Sequence, residues 1–169
     1  MSDAQTINVS PTMVCAQLLL QLHALSVEGK GNSPEAVAAC EAMEAPWAAM
    51  TEQEQERMGG LSEDLYTLED GGARAVEMSP GERERWAEES QAPFAAYRVG
   101  DYDKLLDFLR RPFPQDVPAH LISFMQARCW ELLGEPTVAV LFFNEAGRLD
   151  PATESNHRER QFADLLATG

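Results

Sequence analysis

Positive charge is scarce in this chain. Its 169 residues hold 13 Lys and Arg against 28 Asp and Glu, a formal net charge of −15 at pH 7. Such a surface repels nucleic-acid phosphates and anionic lipid headgroups, so neither nucleic acid nor membrane is expected as a partner. Long apolar runs are also lacking. The most apolar stretch, Met13 to Leu25, is interrupted by Gln17, Gln21 and His23, too short and too polar to span a bilayer. The preceding Met1 to Ser10 carries no Lys or Arg, unlike the basic flank of a signal peptide. A cytoplasmic protein is expected.

Chemistry-bearing residues are few. The three cysteines, Cys15, Cys40 and Cys129, form no CxxC; each lies among small or apolar neighbours and reads as a buried thiol rather than a metal or redox site. His23, His120 and His157 have no Cys, His or acidic residue at zinc-ligand spacing. No GxSxG, HExxH, GxxxxGK[ST] or GxGxxG pattern occurs. Asp101-x-Asp103 lacks the sixth-position Gly and twelfth-position Glu of a calcium loop, and reads as a helix cap. Glu63-Asp64 and Glu88-Glu89 read as solvated faces rather than acid–base pairs. The expectation is a non-enzyme with no catalytic residue, cofactor or metal.

What the chain does have is helical pattern. At 44% hydrophobic and 24% charged residues it can build a globular core. Val14, Leu18, Leu22 and Leu25 fall on one helical face. Ser33-Pro34 and Ser79-Pro80 each place a capping hydroxyl before a proline at the first helical position. Thr51-x-x-Glu54 and Ser79-x-x-Glu82 have capping-box spacing. The run Trp47 to Arg57 reads as one amphipathic helix with an acidic face. Met58, Leu61, Leu65 and Leu68 keep a helical period through Gly59-Gly60, where two interior glycines cost about 2 kcal/mol; two helices with a bend are expected there. Neither Thr6–Val9 nor Ala73–Met78 alternates long enough for a strand. Gly29–Ser33, Glu69–Gly72 and Pro112–Pro118 read as connections. The fold class is all-α, with about eight helices.

Charge separates the chain into two parts. Residues 1–79 hold 13 acidic residues against 3 basic ones, a net −10; residues 80–169 hold 15 against 10, a net −5. The expected division is an acidic N-terminal helical subdomain over 1–79 and a second part over 80–169. The N-terminal helices either continue the helical pairs of the second part or pack across one end of it; packing against the first helical pair is expected, because the apolar faces at Leu18/Leu22 and Leu61/Leu65 need cover.

The second part carries a repeat. Gly100-Asp101-Tyr102 and Gly134-Glu135-Pro136 lie 34 residues apart, each followed by an apolar helical pattern. In the later unit, Ala127 and Trp130 precede the Gly134 turn, and Ala139, Phe143, Ala146 and Leu149-Asp150-Pro151 follow it. Small residues at Ala127, Ala139 and Ala146 would let two antiparallel helices approach closely, with Trp130 and Phe143 filling the gaps beside them. This pattern resembles the tetratricopeptide (TPR) family over roughly residues 82–167. Ser123 and Gln126 stand where that family favours tryptophan and leucine. The earlier unit departs further, with Pro93 inside its first helix, Leu105 for the second-helix alanine, and Pro112 ending that helix early. A closing helix is expected over Thr153–Ala167. The resemblance implies a short solenoid of helical hairpins with the N-terminal helical subdomain beside it.

Basic residues beside aromatics stand out in so acidic a chain. Phe94/Arg98, Phe124/Arg128 and Arg158/Phe162 are each four apart. Arg110-Arg111 before Pro112 reads as compensating a helix dipole. If first helices line a groove, as the resemblance implies, Phe94, Tyr97, Arg98, Phe124, Arg128, Glu131 and Arg158 are the candidate partner-binding residues. Arginine forks would take carboxylates there and aromatic rings the apolar part of a peptide. The alternative is that the phenylalanines are core and the arginines offset neighbouring acids. The leading functional expectation is an adaptor or scaffold that binds a protein or peptide, as a homodimer or a subunit of a larger complex. Two others stand beside it: a small acidic chaperone for a secreted or assembling client, and an enzyme or regulator with a small-molecule pocket.

Overall fold

The computed structural model describes residues 9–72 and 74–151. The fold is all-α: seven helices and a single two-residue strand pair among the described residues. The expected closing helix, with Arg158, lies outside them. The chain forms two compact units that divide between Tyr66 and Thr67. No helix among the described residues is long and apolar enough to cross a membrane.

In the N-terminal unit, α1 (Pro11–Val27) packs on α2 (Pro34–Ala49). Ser10 Oγ accepts the Met13 N–H at 3.2 Å, and Ser33 Oγ accepts the Ala36 N–H at 3.3 Å. Each capping serine is followed by a proline at the first helical position, where the missing N–H has no intrahelical acceptor to lose. Gly29, at φ +74°, turns the chain out of α1. The buried residues of the pair are all small: Cys15 and Ala16 on α1, Ala36 and Ala39 on α2. Cys40, expected to be buried, is exposed, because the face of α2 that turns inward carries its neighbour Ala39.

The helix expected over Trp47–Arg57 is divided. Trp47 to Ala49 end α2, Met50 caps it in extended conformation, and α3 (Glu52–Glu69) begins after Thr51. Thr51 and Glu54 close a reciprocal box: the Thr51 N–H donates to the Glu54 carboxylate at 2.8 Å, and the Glu54 N–H to Thr51 Oγ1 at 3.3 Å. Contrary to expectation, α3 runs unbroken through Gly59-Gly60. Met58, Leu61 and Leu65 are buried on one face, and their burial, at about 1.5–3 kcal/mol each, outweighs the glycine penalty. Asp64 does not lie on a solvated face as expected; it is buried at 2% exposure.

The C-terminal unit is built from α4 (Pro80–Arg98), α5 (Tyr102–Leu109), α6 (Ala119–Leu132) and α7 (Pro136–Leu149), each packed on the next. Gly100 at φ +90° and Gly134 at φ +84° make the α4–α5 and α6–α7 turns, a left-handed conformation that glycine adopts without steric cost. Ser79 and Glu82 form the second capping box, and Asp101 caps α5 by accepting the Lys104 N–H. Ala127, Trp130, Val138, Ala139, Phe142 and Ala146 are all buried in the α6 and α7 pair. The indole N–H of Trp130 has no hydrogen-bond partner there.

A strand was not expected between Ala73 and Met78, yet β1 (Ala75–Val76) pairs in parallel with β2 (Phe113–Pro114), inside the expected Pro112–Pro118 connection. The Phe113 N–H donates to the Arg74 carbonyl at 3.0 Å and the Gln115 N–H to the Val76 carbonyl at 3.1 Å. Proline is tolerated because the ladder uses residues 113 and 115; the N–H that Pro114 lacks would point away from β1. Phe113 is buried at 1% exposure and holds the pair to the core.

Candidate partner-binding surface

The end of α4, the start of α5 and the last turns of α6 bring together three of the expected residues. Tyr97 is half-buried, and its ring meets Tyr102 edge-on, with centroids 5.4 Å apart. Burial raises the pKa of the Tyr97 hydroxyl, and the neighbouring Arg128 guanidinium opposes that rise. Arg128 is ion-paired with Glu131 one helical turn on, which holds the guanidinium beside Tyr97. Arg98 is exposed at the end of α4. This cluster offers an amphipathic ring, a fixed guanidinium and a carboxylate within one patch.

Phe94 and Phe124 do not belong to it. They are 5% and 3% exposed, and Phe124 stacks edge-on against Phe143 at 5.5 Å. Both are core, so no partner reaches them on the folded chain. The period that placed them on the first helices is the same period that builds a hydrophobic face. Tyr102 joins the patch although the sequence marks it only as part of the Gly100-Asp101-Tyr102 turn and not as a partner-binding residue; its place directly after the capping Asp101 was the available signal.

A second concavity lies elsewhere on this unit. A pocket of 330 Å³ is lined by Val76 of β1 and by Glu77 and Met78 after it, by the α4 stripe Glu82, Arg85, Trp86 and Glu89, and by Arg111 and Pro112. Beside it runs a ladder of cations and rings. The Arg83 guanidinium sits 5.5 Å from the Trp86 centroid, Trp86 lies 5.4 Å from Phe108, and Arg111 lies 5.4 Å from Phe108. Carboxylates hold both ends: Arg83 Nε donates to both Asp116 oxygens at 3.1 Å, and Arg111 is ion-paired with Glu89. Arg111, expected to complement the α5 dipole, ties the end of α5 to α4 through Glu89. The Arg83 bonds keep the Asp116 carboxyl below its ordinary pKa. Arg83 and Trp86, or Phe108 and Arg111, are three apart, so the i,i+3 version of the aromatic–basic spacing marks this region in the sequence.

His120 Nε2 lies 3.6 Å from Asp150. Among the described residues no three His, Cys, Asp or Glu side chains gather where they could hold a metal ion. No protein-family model, no curated protein and no solved structure matches this chain, which leaves its own geometry as the ground for a functional reading.

Proposed function

We propose that this chain is a non-enzymatic interaction module, an adaptor or scaffold whose TPR-like C-terminal hairpins capture a peptide or protein partner. The observation that carries the reading is the convergence of Tyr97, Tyr102, Arg128 and Glu131 where three helices meet. Tyrosine and arginine are the side chains that most often dominate interface energetics, because each combines a large apolar body with a polar tip. Arg128 is already positioned by Glu131, so less side-chain entropy is lost on binding. Arg98 extends the patch toward solvent and offers a second fork for a carboxylate.

The test is affinity capture of partners from the source cell with the wild-type chain beside an Arg98→Glu/Arg128→Glu variant, at low and high salt. The expected result is a partner retained by the wild type and lost by the variant, with helicity by circular dichroism unchanged in both. A partner held equally by both proteins overturns the assignment to this patch.

A further inference from the structure

Among the described residues, β1 has one paired edge and one open edge. The two-stranded sheet contains only β1 and β2, and along β1 the carbonyls of Arg74 and Val76 accept from β2. Because backbone polar groups alternate sides along a strand, the N–H and C=O of Ala75 and Glu77 face the other way. Among the described residues, no turn, loop or cap backbone hydrogen bond uses them, and both residues are exposed. An open edge of this kind is a template for a further strand.

The 330 Å³ pocket begins at the same backbone, since Val76, Glu77 and Met78 line it. Its remaining wall presents the Trp86 ring and the carboxylates of Glu82 and Glu89, with Arg85 and Arg111 among them. Arg111 is already neutralised by Glu89, and Glu82 is turned back onto Ser79. Three carboxylates against two guanidiniums leave the lining negative, in a chain whose net charge is −15. Tryptophan is the strongest of the aromatic cation acceptors, and Trp86, which already holds the Arg83 guanidinium 5.5 Å from its centroid, also lines the pocket. The pocket is therefore complementary to a cation on an apolar stem.

We propose that an extended peptide segment of a partner adds to the open edge of β1 and places a basic side chain, arginine or lysine, in this pocket. Main-chain hydrogen bonds to Ala75 and Glu77 supply registry, and the pocket supplies side-chain selection, the division of labour that strand addition uses generally. The excess of negative charge draws such a segment in from a distance. This rests on the reading of the chain as a peptide-capturing module but uses a surface separate from Tyr97 and Arg128.

The probe is the acetylated, amidated pentapeptide Thr-Val-Arg-Val-Thr, titrated into the full chain and followed by amide and indole NMR signals. The expected result is movement and slowed exchange of the Ala75 and Glu77 amides, together with movement of the Trp86 indole. Replacing the central arginine of the probe by glutamate, or Glu77 by lysine, should weaken binding about tenfold or more. Ala75→Pro removes an outward N–H without touching the β1–β2 ladder, so it should abolish binding while the Phe113 and Gln115 amides stay protected. Unmoved Ala75 and Glu77 amides at millimolar peptide, equal binding of the arginine and glutamate probes, or full binding by Ala75→Pro each overturn the inference. Shifts confined to Tyr97 and Arg128 overturn it while leaving the proposed function standing.

Discussion

Glu54 and Glu82 occupy equivalent places in the first turns of α3 and α4, and each returns its carboxylate to the residue that caps the helix. Both accept a backbone N–H and a hydroxyl, from Thr51 and Ser79 respectively. For Glu82 the Ser79 hydroxyl is the larger cause of a lowered pKa and the Ser79 N–H the second; for Glu54 the order is reversed. A carboxyl with a lowered folded pKa contributes stability above its ordinary value of 4.5 and loses that contribution as pH falls through the folded value. Glu82→Gln keeps an acceptor but removes the charge. Its urea midpoint should therefore lie below that of the wild type at neutral pH, and the two midpoints should converge as pH falls below 4.5 and through the lowered folded value. A constant gap across that range would show that the box works without its charge. Both boxes were legible in the sequence because everything they need lies within four residues. The burial of Asp64, Phe94 and Phe124 and the exposure of Cys40 were not, since each depends on what another element brings up against it.

At the scale of the element, α3 shows how far local propensity carries. The sequence supplies a capping box, an apolar stripe and two consecutive glycines, and these disagree. The stripe wins, because Met58, Leu61 and Leu65 are buried along one face of a helix that remains continuous. The glycines then survive as a residual cost. A Cβ added at Gly59 would meet nothing within 4 Å, so Gly59→Ala should stabilise the chain by about 0.5–1 kcal/mol, read as a raised urea midpoint at unchanged slope. A loss of stability would mean that α3 is bent in solution. The turns at Gly100 and Gly134 were readable for a related reason, since a glycine at the end of a helical pattern marks the place where the chain reverses. The β1–β2 pair was not readable. Its two strands are two residues long and more than 35 positions apart, and the alternation that betrays a strand needs at least four residues.

For the whole molecule the governing quantity is the excess of 28 acidic over 13 basic side chains. The visible ion pairs are mostly exposed, among them Lys30–Glu28, Arg83–Asp116 and Arg111–Glu89, and exposed pairs contribute about 0–1 kcal/mol each. Salt screens these attractions and the far more numerous repulsions together. With a net charge of −15, the repulsions outweigh the attractions, because each compact unit brings its like charges closer together than the unfolded chain does. Raising sodium chloride from about 0.01 M to about 0.3 M at neutral pH should therefore raise Tm. Relief of about 1 kcal/mol would correspond to roughly 2–4 °C for a chain of this size. The same salt step near the isoelectric point of about 4.5 should leave Tm almost unchanged, since there is little net charge left to screen. A Tm that falls with salt at neutral pH would instead place the Arg83–Asp116 and Arg111–Glu89 ties among the principal supports of the fold, and would move the cation–aromatic ladder from a surface feature to a stabilising one.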